Sequence, residues 1–166
     1  MKYLNVKVIF FSLLFAFTSQ TAMAASIQGK QFKDWQGRCQ ANDKNREFCY
    51  ILQGFSADGK VPLMITTVDL VQDPKFPIIT MRVSNKLDLK KQVVFQVDKN
   101  KPIGLKANCT ENECSIAFRL DKRMLGELKR GGRGVLGFFA KGEDKPIYFP
   151  VSLSGFTKAI TTLKKS

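Results

Sequence analysis

The chain has no histidine among its 166 residues, so it lacks the side chain that most often moves protons near neutral pH. That absence removes Ser-His and Cys-His nucleophilic pairs and leaves any zinc site without imidazole ligands. Acidic residues are few, 14 against 27 lysines and arginines. Asp69, Asp73, Asp88 and Asp98 stand singly, with no spacing that brings two carboxylates together as a glycosidase needs. At the spacing of a Ser-Lys catalytic pair there are only Thr161 with Lys164 and Thr162 with Lys165, close to the C-terminus where solvated lysines are the rule. Long apolar runs are missing beyond the N-terminus: Val135 to Ala140 falls far short of the roughly 20 residues that cross a bilayer. The expectation is a protein that is not an enzyme, with a hydrolase working without histidine as the distant alternative, that binds no cofactor or metal and has no membrane span.

The N-terminus carries what the rest lacks. Lys2 and Lys7 flank a basic start, Val8 to Phe17 is apolar except for Ser12, and Ala22-Met23-Ala24 follows. A short apolar stretch ending in small residues is a secretory signal peptide, with cleavage expected after Ala24. No cysteine stands at that junction to take a lipid, the first being Cys39. Residues 25–166 are the length of one domain, able to bury about two-thirds of the surface its unfolded chain exposes. Losing Lys2 and Lys7 leaves 25 basic against 14 acidic side chains, a net +11.

All four cysteines, Cys39, Cys49, Cys109 and Cys114, lie in the exported part, and an even count in an oxidising compartment implies two disulfides. Three connectivities are open. A crossed pairing closes longer loops and stabilises more, by about 4.4 kcal/mol against roughly 2 to 3 for local pairs. Closeness in the chain nonetheless favours Cys39 with Cys49 and Cys109 with Cys114. A zinc site is the weaker alternative, because the Cys39/Cys49 spacing is too wide for the usual knuckle.

Apolar residues recur with a period of two, the pattern of strands with one buried face. Met64, Thr66, Val68 and Leu70 share a face, as do Ile79, Met81 and Val83, and Val93, Phe95 and Val97. Cys114, Ile116, Phe118 and Leu120 form a fourth set, and Ile147, Phe149, Val151 and Leu153 a fifth. Phe32 to Cys39, Arg46 to Phe55 and Arg133 to Ala140 are less regular strands. Turn-forming stretches separate them, including Ala57-Asp58-Gly59-Lys60 and Asp73-Pro74. The expectation is an all-β antiparallel sandwich with two short helices. The first helix has Asp121 as N-cap, Met124, Leu125 and Leu128 on one side as a lid over the sheets, and Gly131 past its end. The second runs from Ser154, as N-cap, to Lys164, with Phe156, Ile160 and Leu163 on a stripe that docks on the domain. Gly131-Gly132-Arg133-Gly134 looks like an anion-binding nest but reads better as a helix stop and tight turn, since the ending of a phosphate loop is missing. Trp35, the single tryptophan, shares strand parity with Cys39 and is expected to be buried beside that bridge.

Phe32, Asp34 and Trp35 stand before Cys39, then come Cys49, and then Cys109 and Cys114 with Ala117 after them. The most specific stretch is Pro150-Val151-Ser152-Leu153-Ser154-Gly155-Phe156, followed by Ala159 and Leu163. In this order and spacing the residues resemble the invasion-associated locus B family of exported bacterial proteins. The resemblance implies an immunoglobulin-like β-sandwich, periplasmic or cell-surface residence, and an association with host-cell entry in some pathogens. It brings no catalytic residues.

Charge supplies the candidate contacts. Lys86, Lys90 and Lys91 form one basic group and Lys99 with Lys101 a second, while Lys122, Arg123, Lys129, Arg130 and Arg133 surround the first helix. Such an excess favours anionic partners: in an exported protein, lipopolysaccharide phosphates, acidic polysaccharides or an acidic protein. Nucleic acid ranks lower, because no aromatic residues interleave with these groups as a stacking platform requires. The reading is a binding module for an anionic envelope or host-surface component, with a structural or chaperone-like periplasmic protein as the alternative. The same charge suits simple solubility equally well.

Overall fold

Where the sequence alternates, the chain is extended, and every strand pairs antiparallel. The structure is a computed structural model that describes residues 26–41, 45–70, 75–84 and 86–166. The signal peptide expected over residues 1–24 and the Asp73-Pro74 turn lie outside the described residues. Among the described residues the order is β1 (Gln31–Phe32), β2 (Trp35–Ala41), β3 (Glu47–Phe55), β4 (Met64–Asp69), β5 (Ile78–Ser84), β6 (Val93–Val97), β7 (Ile103–Leu105), β8 (Asn108–Cys109), β9 (Glu113–Arg119), α1 (Lys122–Arg130), β10 (Arg133–Phe138), β11 (Ile147–Ser152) and α2 (Phe156–Leu163). A seven-stranded sheet in the order β1-β2-β3-β4-β5-β9-β8 faces a four-stranded sheet in the order β11-β10-β6-β7. This is the expected β-sandwich with two short helices, unequally divided.

The five alternating sets line the interior. Met64, Thr66, Val68, Ile79, Met81 and Val83 are buried on the large sheet, and Val93, Phe95 and Val97 on the small one. Rings close the gap between sheets: Phe95 and Phe118 are 5.6 Å apart, and Phe149 lies 5.1 Å from Phe55, while within the small sheet it meets Phe138 edge-on at 5.0 Å. Such tilted pairs add to the burial of their area. One polar clamp also joins the layers. The buried Gln53 of β3 accepts from the Ser152 N–H of β11 at 2.9 Å and donates to the Ser152 carbonyl at 2.8 Å. Its amide is thereby satisfied on both sides, which is what makes a buried glutamine tolerable.

The cysteines pair locally, Cys39 with Cys49 and Cys109 with Cys114. Each bridge links residues directly opposed in an antiparallel ladder, β2 with β3 and β8 with β9. Trp35 is buried as expected, but its ring partner is Phe156 of α2 at 5.3 Å, and its indole N–H donates to the Ser152 carbonyl at 2.9 Å. The half-exposed Cys39–Cys49 bridge is four residues on, about 13 Å along the strand, too far for the indole to pack beside it.

Several boundaries differ from the sequence reading: the strand read to Ala140 ends at Phe138, and the one read from Arg46 starts at Glu47. The strand read from Phe32 to Cys39 is broken by a two-residue hairpin: Lys33 takes φ of 56°, and Phe32 pairs with Trp35. The second helix starts at Phe156 and ends at Leu163, and its cap is Gly155 rather than Ser154. Gly155 sits at φ of 86°, a left-handed conformation that glycine adopts without strain, and no side chain caps the helix. Strands β7 and β8 are too short for alternation to announce them. In the β3–β4 turn, the Lys60 amide, the Ser56 hydroxyl and the Val61 amide hold the exposed Asp58 carboxyl below its ordinary range.

Candidate functional site

The first helix forms as its sequence dictates. The Asp121 carboxylate accepts from the Met124 N–H at 2.7 Å, and Met124 and Leu128 enter the core. Its last turn carries Lys129 and Arg130, where cations complement the helix dipole. The helix packs against α2 rather than lying as a lid over the sheets alone, and Thr157 of α2 donates its hydroxyl to the Lys129 carbonyl at 2.7 Å. Beside α1 lies an open groove of about 790 Å³, lined by Lys122, Arg123 and Arg130 together with Asp98, Asn100 and Glu127.

Of the five basic residues singled out by sequence, Lys122, Arg123 and Arg130 come together in this groove, whereas Lys129 and Arg133 do not line it. Arg123 is already committed: its guanidinium bonds Glu127 Oε1 at 2.5 Å, one helical turn on. Arg130 folds back along the helix, its guanidinium about 3.2 Å from where a Cβ on Gly126 would stand. Among the described residues, Lys122, Lys129, Arg130 and Arg133 have no acidic partner, and all four are exposed. The groove is mixed in sign, since Asp98 and Glu127 line it beside the three cations, and Glu127 Oε2 is buried without a hydrogen-bond partner among the described residues.

The glycine-rich exit of α1 does bind an anion, but the anion belongs to the chain. Asp98, at the end of β6, accepts from the Gly132 N–H at 3.0 Å and the Arg133 N–H at 2.9 Å. The reading of this exit as a helix stop therefore stands, and the stop is held by a carboxylate that sequence reasoning missed. Nothing in a linear pattern announces it, because Asp98 and Gly132 are 34 residues apart. Glu127, by contrast, is legible four residues after Arg123. Asp98→Ala is expected to cost about 1 to 2 kcal/mol by freeing two amides from a charged acceptor, while Asp98→Asn, which keeps an oxygen and tolerates the φ of 47°, costs less. Urea unfolding of the two variants checks the order.

Of the other basic groups, Lys99 and Lys101 flank Asn100 on the far wall of the α1 groove, whereas Lys90 and Lys91 line a separate one. Lys91 is tied down, its ammonium bonding the Glu143 carbonyl at 2.8 Å and resting 4.6 Å from the centre of the Phe139 ring. No helix among the described residues is long and apolar enough to cross a membrane.

The same architecture is known. A crystal structure of invasion associated protein B from Bartonella henselae superposes with a TM-score of 0.70 at 21% identity, covering 81% of this chain and 92% of that one. No curated protein matches the chain. The family model described as the invasion associated locus B protein matches residues 35–164, from the buried Trp35 through both disulfides to the end of α2. The chain belongs to the invasion associated locus B family.

Proposed function

We propose that the protein is an exported binding module, without catalytic activity, that engages an anionic envelope or host-surface component through the cations of α1. The observation that carries this reading is the set of exposed, unneutralised side chains Lys122, Lys129 and Arg130 on one short helix of a chain with net charge +11 once residues 1–24 are removed. Export rests on the two disulfides, which persist in oxidising compartments, and on the family. Residence in the periplasm or at the cell surface belongs to the same proposal, as does a part in host-cell invasion, to which the family's name points.

The strand edges weigh against a chaperone-like role by strand addition. The large sheet ends in β1 and β8, two residues each, which leaves the outer edge of β9 open only from Ile116 to Arg119, and β7 is three residues flanked by Pro102 and Lys106. On β11 the alternation of the ladder turns the amides of residues 148, 150 and 152 away from β10, since the Ser152 N–H is taken by Gln53. Pro150 has no N–H to offer there. Short, proline-bearing or side-chain-blocked edges resist pairing with another chain.

The test is binding to purified lipopolysaccharide at two ionic strengths, for the wild type and for Lys122, Lys129 and Arg130 changed together to Glu. Attraction between exposed charges is screened over roughly 8 Å at physiological salt, so wild-type binding should weaken as salt rises. The triple variant should bind about tenfold or more weakly, with a nearly unchanged melting temperature. Salt-independent binding, or full binding by the variant, would leave the charge as a solubility feature.

A further inference from the structure

Strand β3 is apolar on both faces. Ile51 and Phe55 point towards the interior with Gln53, while Phe48, Tyr50 and Leu52 point outward and stay half-buried. A strand on an outer sheet ordinarily alternates apolar inside with polar outside, so apolar residues on both faces set β3 apart. The pairing register extends the outward set across the sheet. Leu52 lies against Thr67, Tyr50 against Asp69 and Arg38, Phe48 against Gln40, and Ile65 against Arg82. All of these but Arg38 line a shallow dish of about 390 Å³, with the Phe48 and Tyr50 rings 6.1 Å apart and inclined by 34°.

We propose that this outer face of the seven-stranded sheet is a second binding surface, and that its ligand is an acidic oligosaccharide. Sugar rings have apolar faces that lie on the Phe48 and Tyr50 rings, and hydroxyl edges that exchange hydrogen bonds with planar polar groups. Gln40 and Asp69 supply those groups at the rim of the rings, the Tyr50 hydroxyl standing 3.5 Å from Gln40 Oε1. Arg82, exposed and lining the dish, is placed to meet a carboxylate on the chain and is held only loosely by Glu113, at 4.0 Å; Arg38, outside the lining but opposite Tyr50 in the ladder, is a second exposed cation on this face. A shallow, half-buried floor fits a flat ring better than the protruding side chain of a protein partner, which needs a deep pocket. A second copy of the chain is disfavoured, since two molecules of net +11 repel. The surface is distinct from α1 and does not depend on the reading given for that helix.

The experiment is an amide NMR titration of the 15N-labelled protein with hexagalacturonate and, separately, with uncharged cellohexaose. Hexagalacturonate should shift the amides of Tyr50, Leu52, Ile65 and Arg82, and cellohexaose should shift the same set more weakly. Tyr50→Ser and Arg82→Gln should each weaken hexagalacturonate binding by about tenfold, an ordinary loss for one contact at the centre of a site. The α1 triple variant should leave these shifts in place, which separates failure here from failure of the α1 reading. Absence of shifts on this face with either oligosaccharide would overturn the proposal. So would shifts on this face that grow with protein concentration alone, which would assign it to a second copy.

Discussion

Trp35→Ala is expected to lower the free energy of unfolding by about 3 to 5 kcal/mol, close to the whole stability of a small domain. The indole is wholly buried, so truncation opens a void where β2, β11 and α2 meet. It also removes the facing ring from Phe156, itself wholly buried. Trp35→Phe separates the contributions: a ring remains against Phe156, and only the bond from the indole N–H to the Ser152 carbonyl is lost. That carbonyl keeps the Gln53 amide at 2.8 Å, so it is not orphaned, and the bond itself accounts for only about 1 kcal/mol. Denaturant unfolding followed by circular dichroism measures both variants without relying on tryptophan emission. An unchanged midpoint for Trp35→Ala would show that the indole does not anchor this junction.

The sandwich was legible because its main strands bury one face each, and a period of two survives in sequence wherever one face is dry. The two local disulfides were legible for a related reason: each bridges opposed residues of a hairpin, so closeness in the chain coincides with closeness in space. Strand β3 was the hardest of the central strands to read. Its inward Gln53 is satisfied by Ser152, 99 residues away, and its outward face is aromatic, so neither face follows the polar-out rule. The hairpin at Lys33-Asp34 was hidden because neither residue is a glycine, although Asp34 earns its place by accepting the Ser152 hydroxyl at 2.5 Å.

At the α1 site, composition found the helix and its cations but not their arrangement. Helical spacing places Lys122 and Lys129 on one side, yet only Lys122 reaches the groove, because the groove is walled on its far side by Asp98 and Asn100 beyond β6. Charge that looks uniform in sequence is thus divided in space: Arg123 is neutralised within the helix, Arg130 turns back over Gly126, and Lys129 lies nearer α2. The functional consequence is that binding should depend on Lys122 and Arg130 more than on Arg123, whose loss removes a cation already spent.

Gly155→Ala is the second change expected to have a large effect, and it discriminates between two accounts of how α2 begins. If Ser154 capped the helix, its replacement by Ala would cost about 1 kcal/mol and position 155 would be permissive. The structure gives the opposite arrangement. Gly155 has φ of 86°, and a Cβ there would stand 1.8 Å from the Phe32 carbonyl oxygen, a backbone atom fixed by the β1–β2 hairpin. The left-handed conformation alone disfavours alanine by roughly 1 to 2 kcal/mol. The collision cannot be relieved by a rotamer change, so either the hairpin or α2 must move. Moving α2 pulls Phe156, Ala159, Ile160 and Leu163 from the core, and burying each of the three larger side chains contributes about 1.5 to 3 kcal/mol. Gly155→Ala should therefore lose more than about 4 kcal/mol, in the range reserved for broken core contacts, whereas Ser154→Ala should stay within about 0.5 kcal/mol. Urea midpoints for the two variants, with trypsin cleavage at Lys158 as a reporter of an undocked α2, decide the matter. A tolerated alanine at 155 together with a destabilising one at 154 would restore Ser154 as the cap and would require a different path from β11 into the helix.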